Sequence, residues 1–122
     1  MLLPFLSLLL LTGTSAARGD SPAVSSPETI FQRQTEGYHT FRIPSLTVTA
    51  DGTLLAFAEG RRNSRSDTGD IDLVLRRSTD GGKSWGPLIT VWDDGENVCG
   101  NPSAVVDRAT GRIVLVTTWN LG

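Results

Sequence analysis

From Tyr38 onward, short apolar and β-branched runs alternate with turn residues at close intervals. Three of the turns carry glycine, which supplies the positive φ that tight hairpin turns require; they are Asp51-Gly52, Asp80-Gly81-Gly82 and Thr110-Gly111. No segment of this region has a helical period. The pattern predicts an all-β fold, an antiparallel meander of three hairpins with strands at 41–49 and 53–58, 71–78 and 88–92, and 103–107 and 112–119.

The strand candidates TLLAFA (53–58) and IVLVTTW (113–119) alternate only weakly between apolar and polar residues. Weak alternation is typical of sheets covered on both faces, as in stacked propeller blades. Six short strands could close a small barrel or sandwich, or form part of a larger fold.

The amino terminus has the pattern of a secretory signal peptide. An apolar run at 2–11 precedes small residues at 15–17, so we expect cleavage near Ala16 or Ala17 and a signal peptide at 1–17. The run has about half of the roughly 20 residues that span a bilayer, so no transmembrane span is predicted after cleavage. This predicts the secretory pathway, with an extracellular or, alternatively, lysosomal location.

Residues 18–37 are rich in Ser, Pro and charge, which predicts a linker with one short strand at 29–32, followed by a β domain at 38–122. Arg18-Gly19-Asp20 matches an integrin-adhesion tripeptide, but so short a match beside a cleavage site is weak evidence.

Charge and cysteine content exclude several classes of function. The chain has 11 basic and 13 acidic side chains, a net charge of −2 and no long basic run, so no nucleic-acid partner is predicted. Cys99 is the one cysteine, which rules out a disulfide within the chain; we interpret it as a small buried residue. A catalytic thiol would need a histidine, and His39 is the only one. No cofactor or metal site is indicated.

The most specific motif is Ser-x-Asp-x-Gly-x-Ser-Trp at Ser78–Trp85, with Ser78, Asp80, Gly82, Ser84 and Trp85 at the fixed positions. Its aspartate can accept hydrogen bonds from amides of its own turn, its glycine can take a left-handed conformation, and its tryptophan can pack on the sheet. This motif resembles the Asp-box of sialidases and related β-propellers, where it has a structural role.

A second motif, Tyr38-His39-Thr40-Phe41-Arg42-Ile43-Pro44, resembles the Arg-Ile-Pro signature near the start of sialidase catalytic domains. An arginine in an apolar strand needs an anionic partner, which is either a protein carboxylate or a bound substrate. The resemblance implies that Arg42 is one of three arginines that bind the carboxylate of sialic acid.

The segment EGRRNSRSD (59–67) continues the resemblance through its spacing, because Arg61 lies nineteen positions after Arg42 and Asp67 six after Arg61. Sialidases are similar at both spacings. The resemblance implies that Arg61 lies in the pocket around the sugar 4-hydroxyl and that Asp67 is the catalytic acid and base. Arg62 and Arg65 are expected to be solvated neighbours or local support.

A fourth candidate is Asn101, in Gly100-Asn101-Pro102-Ser103. Sialidases have Asp-Pro or Asn-Pro at this place, near the 4-hydroxyl and N-acetyl end of the sugar. Asn101 is therefore a candidate substrate-binding residue by resemblance; a turn residue before proline is the alternative.

Together these motifs imply the amino-terminal part of an exo-α-sialidase, a retaining glycoside hydrolase acting on terminal sialic acids of glycoproteins, glycolipids or oligosaccharides. The resemblance implies a six-bladed β-propeller, and at roughly 40 to 45 residues a blade this chain is expected to form about its first two blades. Sialidases use a tyrosine nucleophile, and Tyr38, the only tyrosine, precedes the Arg-Ile-Pro signature, where that nucleophile does not lie. The nucleophile, its glutamate base and the remaining arginines are expected outside this chain, which alone should be inactive. The alternative is a non-catalytic Asp-box propeller acting as a glycan-binding or receptor module.

Overall fold

A computed structural model describes residues 27–122, in which all the regular secondary structure is β-strand. The strands are β1 (Thr40–Val48), β2 (Leu54–Arg61), β3 (Ile71–Ser78), β4 (Ile89–Trp92), β5 (Val98–Val106) and β6 (Ile113–Asn120). Over these residues there is no helix with the length and hydrophobicity to cross a membrane. The predicted all-β fold is confirmed, whereas the signal peptide and the Arg18-Gly19-Asp20 tripeptide lie outside the described residues.

The strands form two antiparallel units within one sheet. The first is a meander in which β1 pairs with β2, β2 with β3 and β3 with β4. The second is the hairpin of β5 and β6. The two units meet at a parallel bridge between Ile71 and Val98, which departs from the purely antiparallel meander expected from the sequence. Each unit therefore contributes one strand, β3 or β5, to this junction.

Strand ends differ from the sequence prediction where polar residues lie inside the sheet. Strand β2 continues past Ala58 to Arg61, and its last residues pair with the start of β1. Strand β5 begins at Val98 rather than at Ser103. Its first residues precede a bulge between Gly100 and Ser103, and the prediction missed them. Asn101 has a positive φ of 53° in this bulge. Because Pro102 follows it, the sequence predicts a turn at residues that lie within the strand.

The predicted strand at 29–32 is wrong, since these residues have no strand pairing. Instead Phe31 packs against the core, with its ring centroid 5.3 Å from that of Phe41. Tyr38, which forms an isolated bridge with Thr35, is buried in the same cluster. The segment before β1 thus covers one face of the first unit.

The core lies under β2 and β3, and its fully buried side chains include Ile71, Leu73, Val74 and Cys99. Strand β2 is buried from Leu55 to Arg61 on both faces, as weak alternation predicts. Strand β6, for which the same covering was predicted, instead exposes Val114, Val116 and Trp119. It lies at the edge of the sheet, and most of its residues are exposed among the described residues.

The turn after β3 is held by side-chain hydrogen bonds within the Ser78–Trp85 motif. Ser78 Oγ accepts from the Gly82 amide at 2.9 Å and donates to Asp80 Oδ1 at 2.8 Å. Asp80 also accepts from the amide and hydroxyl of Ser84, and these bonds hold the pKa of its carboxyl well below the usual range. Gly81 and Gly82 have φ of 75° and 89°, the left-handed conformation that the motif predicts.

Candidate functional site

The candidate site lies where the start of β1, the end of β2 and the following loop, residues 62–70, meet. Arg42 of β1 is opposite Glu59 of β2, and Thr40 is opposite Arg61. Just after Arg42, a bulge interrupts the pairing, with Ile43 at a φ of 52° and Pro44 lacking an amide hydrogen. This irregularity interrupts the ladder next to Arg42, and pairing resumes at Ser45.

The structure brings Arg42, Arg61 and Asp67 together. Arg61 Nη1 donates to Asp67 Oδ1 at 2.7 Å, and Arg42 Nη1 donates to the same oxygen at 3.0 Å. The Asp67 side chain is 79% exposed and that of Arg42 40%, whereas Arg61 is buried. Two guanidinium groups, one fixed inside the protein and one open to solvent, thus converge on a single carboxylate.

Arg61 also organises the loop that carries Asp67. Its Nη1 donates to the carbonyl oxygens of Arg65 and Ser66 at 2.8 and 2.6 Å. These carbonyls belong to the two residues immediately before Asp67, so one buried side chain fixes the local backbone path. Arg65, expected to be a solvated neighbour or local support, contributes its backbone oxygen rather than its charge.

The arginines affect the ionisation of Asp67. The hydrogen bond and charge of Arg61, with a smaller effect from Arg42, hold the pKa of the Asp67 carboxyl below its ordinary value. Burial alone would lower the pKa of Arg61, but hydrogen bonds and charge from Glu59 and Asp67 raise it. In this arrangement Asp67 is a carboxylate at neutral pH, and proton donation requires a change in its surroundings.

Glu59 is a buried member of the site that the sequence did not single out. Its Oε2 accepts from Arg61 Nε at 3.1 Å and from Arg61 Nη2 at 2.5 Å, while its Oε1 accepts from the Asn101 amide at 3.0 Å. Residues two apart in a strand share a face. The sequence feature that could have identified Glu59 is its position, two residues before Arg61 in a strand that is otherwise apolar.

Asn101 approaches the site through its backbone. Its amide bonds Glu59, whereas its side-chain Nδ2 donates to Thr118 Oγ1 at 2.9 Å on β6. A Cβ added to the preceding Gly100 would overlap the Glu59 carboxylate, so a side chain at that position would displace Glu59 from its present partners. Within the part of the chain that is described, the Asn101 side chain has no hydrogen bond to Arg42, Arg61 or Asp67.

Arg62, which follows Arg61, points to a different set of partners. Its guanidinium pairs with Asp70 and with the fully buried Asp72, and Asp72 also accepts from the Tyr38 hydroxyl. Neither Tyr38 nor Asp72 was a sequence candidate for the site. Their contacts with Arg62 and with each other depend on the fold, which brings them close to the start of loop 62–70.

Comparison with known proteins gives consistent results, although no family model matches the chain. An exo-alpha-sialidase of Aspergillus fumigatus is 44% identical over 90 residues, covering 69% of this chain and 22% of that protein. An exo-alpha-sialidase of Arthroderma benhamiae is 45% identical over 92 residues, covering 70% and 22%. A sialidase of Micromonospora viridifaciens is 36% identical over 125 residues, covering 93% of this chain and 19% of that protein.

The solved structure of Hadza microbial sialidase Hz136 is similar with a TM-score of 0.64 and 33% sequence identity, over 70% of this chain and 19% of that one. That neighbour has a β-propeller fold, so the six strands form part of a β-propeller, as predicted. The chain spans about a fifth of the length of the curated relatives it matches. Sequence and fold together show that this chain belongs to the sialidase family.

Proposed function

We propose that this chain forms the amino-terminal part of the catalytic site of an exo-α-sialidase, a retaining glycoside hydrolase that removes terminal sialic acids from glycoproteins, glycolipids or oligosaccharides. The observation that carries the proposal is the convergence of Arg42 and Arg61 on the Asp67 carboxylate. The relatives named sialidase support the same reaction class. The signal-peptide pattern supports a site of action in the secretory pathway or beyond it.

Arg42 is suited to bind the substrate carboxylate. A guanidinium forms charge-assisted and often bidentate hydrogen bonds with carboxylates. Arg42 is the solvent-exposed arginine of the pair, and its present partner is an exposed loop carboxylate rather than a buried one. A sialic acid carboxylate can therefore compete with Asp67 for Arg42 without breaking the buried pair of Arg61 and Glu59.

That competition prepares Asp67 for acid catalysis. A bound carboxylate withdraws Arg42 from Asp67 and adds a negative charge nearby, and both changes raise the pKa of the Asp67 carboxyl. The protonated acid then donates to the leaving glycosidic oxygen, and the resulting carboxylate activates water for the second step. Arg61, held by Glu59, keeps the loop in place, and we assign Arg61 to the sugar 4-hydroxyl. We assign Asn101 to the same end of the sugar, because its backbone amide donates to Glu59.

Tyr38 does not serve as the nucleophile. Its hydroxyl donates to Asp72 Oδ2 at 2.6 Å inside the protein, and burial, with that hydrogen bond, raises its pKa to about 12. A nucleophilic tyrosine needs an accessible oxygen beside a base that can remove its proton. We infer that the nucleophile, its glutamate base and two further arginines come from outside these 122 residues, and that this chain alone releases no sialic acid.

The test is release of free sialic acid by the complete gene product that carries this sequence. We expect turnover of a sialyl-galactoside and at least about 100-fold less turnover of its carboxyl methyl ester, which cannot pair with arginine as an anion. Equal turnover of both substrates would contradict the role of Arg42. Binding of sialosides without release would favour the non-catalytic glycan-binding module instead. Release by the isolated chain would refute the inference about the nucleophile.

A further inference from the structure

A second polar cluster, formed by Tyr38, Arg62 and Asp72, lies behind the loop that carries Asp67. Asp72 is 0% exposed, and its Oδ2 accepts from the Tyr38 hydroxyl at 2.6 Å and from Arg62 Nη2 at 2.7 Å. The Arg62 guanidinium carbon lies 5.0 Å from the centroid of the Tyr38 ring, within the range of a cation–π contact. The three side chains therefore form one connected unit.

This unit joins the two ends of loop 62–70. Arg62 is the first residue after β2, and Asp72 is the second residue of β3, so their ion pair joins the two ends of the loop. The same ends are joined by the Arg62 amide, which donates to the Asp70 carbonyl at 3.1 Å, and by Arg62 Nε, which lies 3.2 Å from Asp70 Oδ1. Asp67 lies between these anchored ends.

Tyr38 is held firmly enough to fix the unit. Its ring packs over Gly60, where an added Cβ would lie 2.7 Å from Tyr38 Cε1, and it is buried with Phe31 and Phe41. Its partner Asp72 pairs with Gly60 in the β2–β3 ladder. The hydroxyl of Tyr38 thus reaches Asp72 from a rigid apolar cluster, and Arg62 completes the contact from the loop side.

A buried ion pair adds little net stability compared with apolar packing, because desolvation offsets most of the Coulomb attraction. Its effect is to favour one geometry, since in that geometry the buried Asp72 Oδ2 accepts from both Tyr38 and Arg62, whereas Oδ1 has no partner among the described residues. Here the favoured geometry is the position of Arg62 relative to β3. That position determines where the loop starts, one residue after Arg61, whose guanidinium bonds Asp67.

We propose that Asp72, together with Tyr38 and Arg62, is a positioning unit for the catalytic acid: it fixes the base of loop 62–70 so that Asp67 stays beside Arg61 and within reach of the leaving oxygen. Within residues 27–122, its three side chains have no hydrogen bond to the side chains of Arg42, Arg61 or Asp67. The proposal rests on the proposed function for its catalytic consequence, and on the loop geometry for its structural one.

The first experiment compares leaving groups in the complete gene product, using Asp72→Asn and the milder Tyr38→Phe. Alcohol leaving groups need protonation by the acid, whereas phenol leaving groups need it much less. We expect Asp72→Asn to lower kcat about 10-fold or more for a sialyl-galactoside and less than about 3-fold for an aryl sialoside. Tyr38→Phe should show the same bias with a smaller effect. Equal losses on both substrates, or no loss in either variant, would overturn the proposal.

Asp93→Asn is the matched control. Asp93 Oδ2 lies 3.4 Å from Arg62 Nη2, but its side chain is 46% exposed, so this charge contact is at the rim. We expect its kcat for both substrates to stay within about 2-fold of the parent protein, as for weak surface pairs. A leaving-group bias as large as that of Asp72→Asn would show that net charge near Arg62, and not the buried unit, causes the effect.

The second experiment measures hydrogen exchange of the backbone amides and does not require activity. In Tyr38→Phe, amides of loop 62–70 should exchange about 10-fold faster or more, while those of β2 and β3 keep their protection. Unchanged loop exchange would overturn the proposal even if Asp72→Asn failed to fold. Faster loop exchange in a protein that hydrolyses no sialoside would retain the unit as a loop anchor and would refute the proposed function alone.

Discussion

Arg61 binds Glu59 along one edge of its guanidinium and Asp67 at the other, with Nη2 2.5 Å from Glu59 Oε2 and Nη1 2.7 Å from Asp67 Oδ1. The first carboxylate is buried and the second is exposed. The arginine therefore transmits the rigidity of β2 to a residue on a loop. A site of this kind combines a rigid, buried ion pair with an exposed carboxylate that can exchange hydrogen-bond partners.

Glu59→Gln should destabilise the protein. It removes the charge that pairs with buried Arg61 while keeping nearly the same shape, and hydrogen bonds to charged groups contribute about 1.5–3 kcal/mol. We expect a loss of that size in the free energy of unfolding, measured by urea denaturation. Glu36→Gln is the control, because Glu36 pairs with Arg76 but is 39% exposed, and such pairs contribute about 1 kcal/mol or less. Equal losses in the two variants would contradict the account.

Arg42→Ala should chiefly weaken substrate binding. The change removes a charge-assisted, potentially bidentate contact to the substrate carboxylate. We expect KM for a sialyl-galactoside to rise about 10-fold or more, with a smaller change in kcat, in steady-state kinetics. Arg65→Ala is the control, because Arg65 lies in the adjacent loop 62–70 and contributes its carbonyl oxygen. An unchanged KM in Arg42→Ala would remove Arg42 from the carboxylate site.

The ionisation of Asp67 should depend on occupancy of the site. Without added sugar, carbon-detected NMR titration should place its pKa below the ordinary value of about 3.9, because Arg61 and then Arg42 stabilise the carboxylate. Since the folded value lies below the unfolded one, the stabilisation is present above pH 4 or so and is lost as pH falls through the folded value. Saturating sialic acid should raise the pKa. A downward shift, or none, would contradict the exchange of partners at Arg42.

Ser78→Ala should destabilise the turn after β3. Ser78 Oγ is buried and accepts from the Gly82 amide, so its removal leaves a partly buried donor without that partner, at a cost of about 1–3 kcal/mol. Thr79→Ala, at the exposed neighbouring position, should change the free energy of unfolding by about 0.5 kcal/mol or less. Thermal and urea denaturation provide the comparison. A cost for Ser78→Ala no larger than that for Thr79→Ala would show that the motif does not stabilise the turn.

Features set by local sequence could be predicted, and those set by distant pairing could not. Turn residues located all three hairpins, since the conformations of Gly52, Gly81 and Gly111 are local properties. Asp67 lies six residues from its partner Arg61, and the resemblance to sialidases related the two through that local spacing. Glu59 meets Asn101 across 42 positions and Tyr38 meets Asp72 across 34, contacts that depend on strand register and on the bulges in β1 and β5.

Charged residues inside a strand also made the predicted end of β2 wrong. The residues Glu59 to Arg61 look like the start of a solvated loop because charged groups rarely occur inside a sheet. They are strand residues here because each charge has a partner within the protein. In the sequence the pair of Glu59 and Arg61 therefore indicates the end of a strand. The strand register in the structure shows that both residues are buried within β2.

The central claim is that Asp67 is the catalytic acid and base, and Asp67→Asn tests it most directly in the complete gene product. The asparagine side chain can still accept from Arg61, so the loop should keep its position. We expect kcat for a sialyl-galactoside to fall about 10²–10⁴-fold, with a smaller fall for an aryl sialoside and little change in the affinity for a sialic acid analogue. Turnover of the sialyl-galactoside near that of the parent protein would contradict the claim.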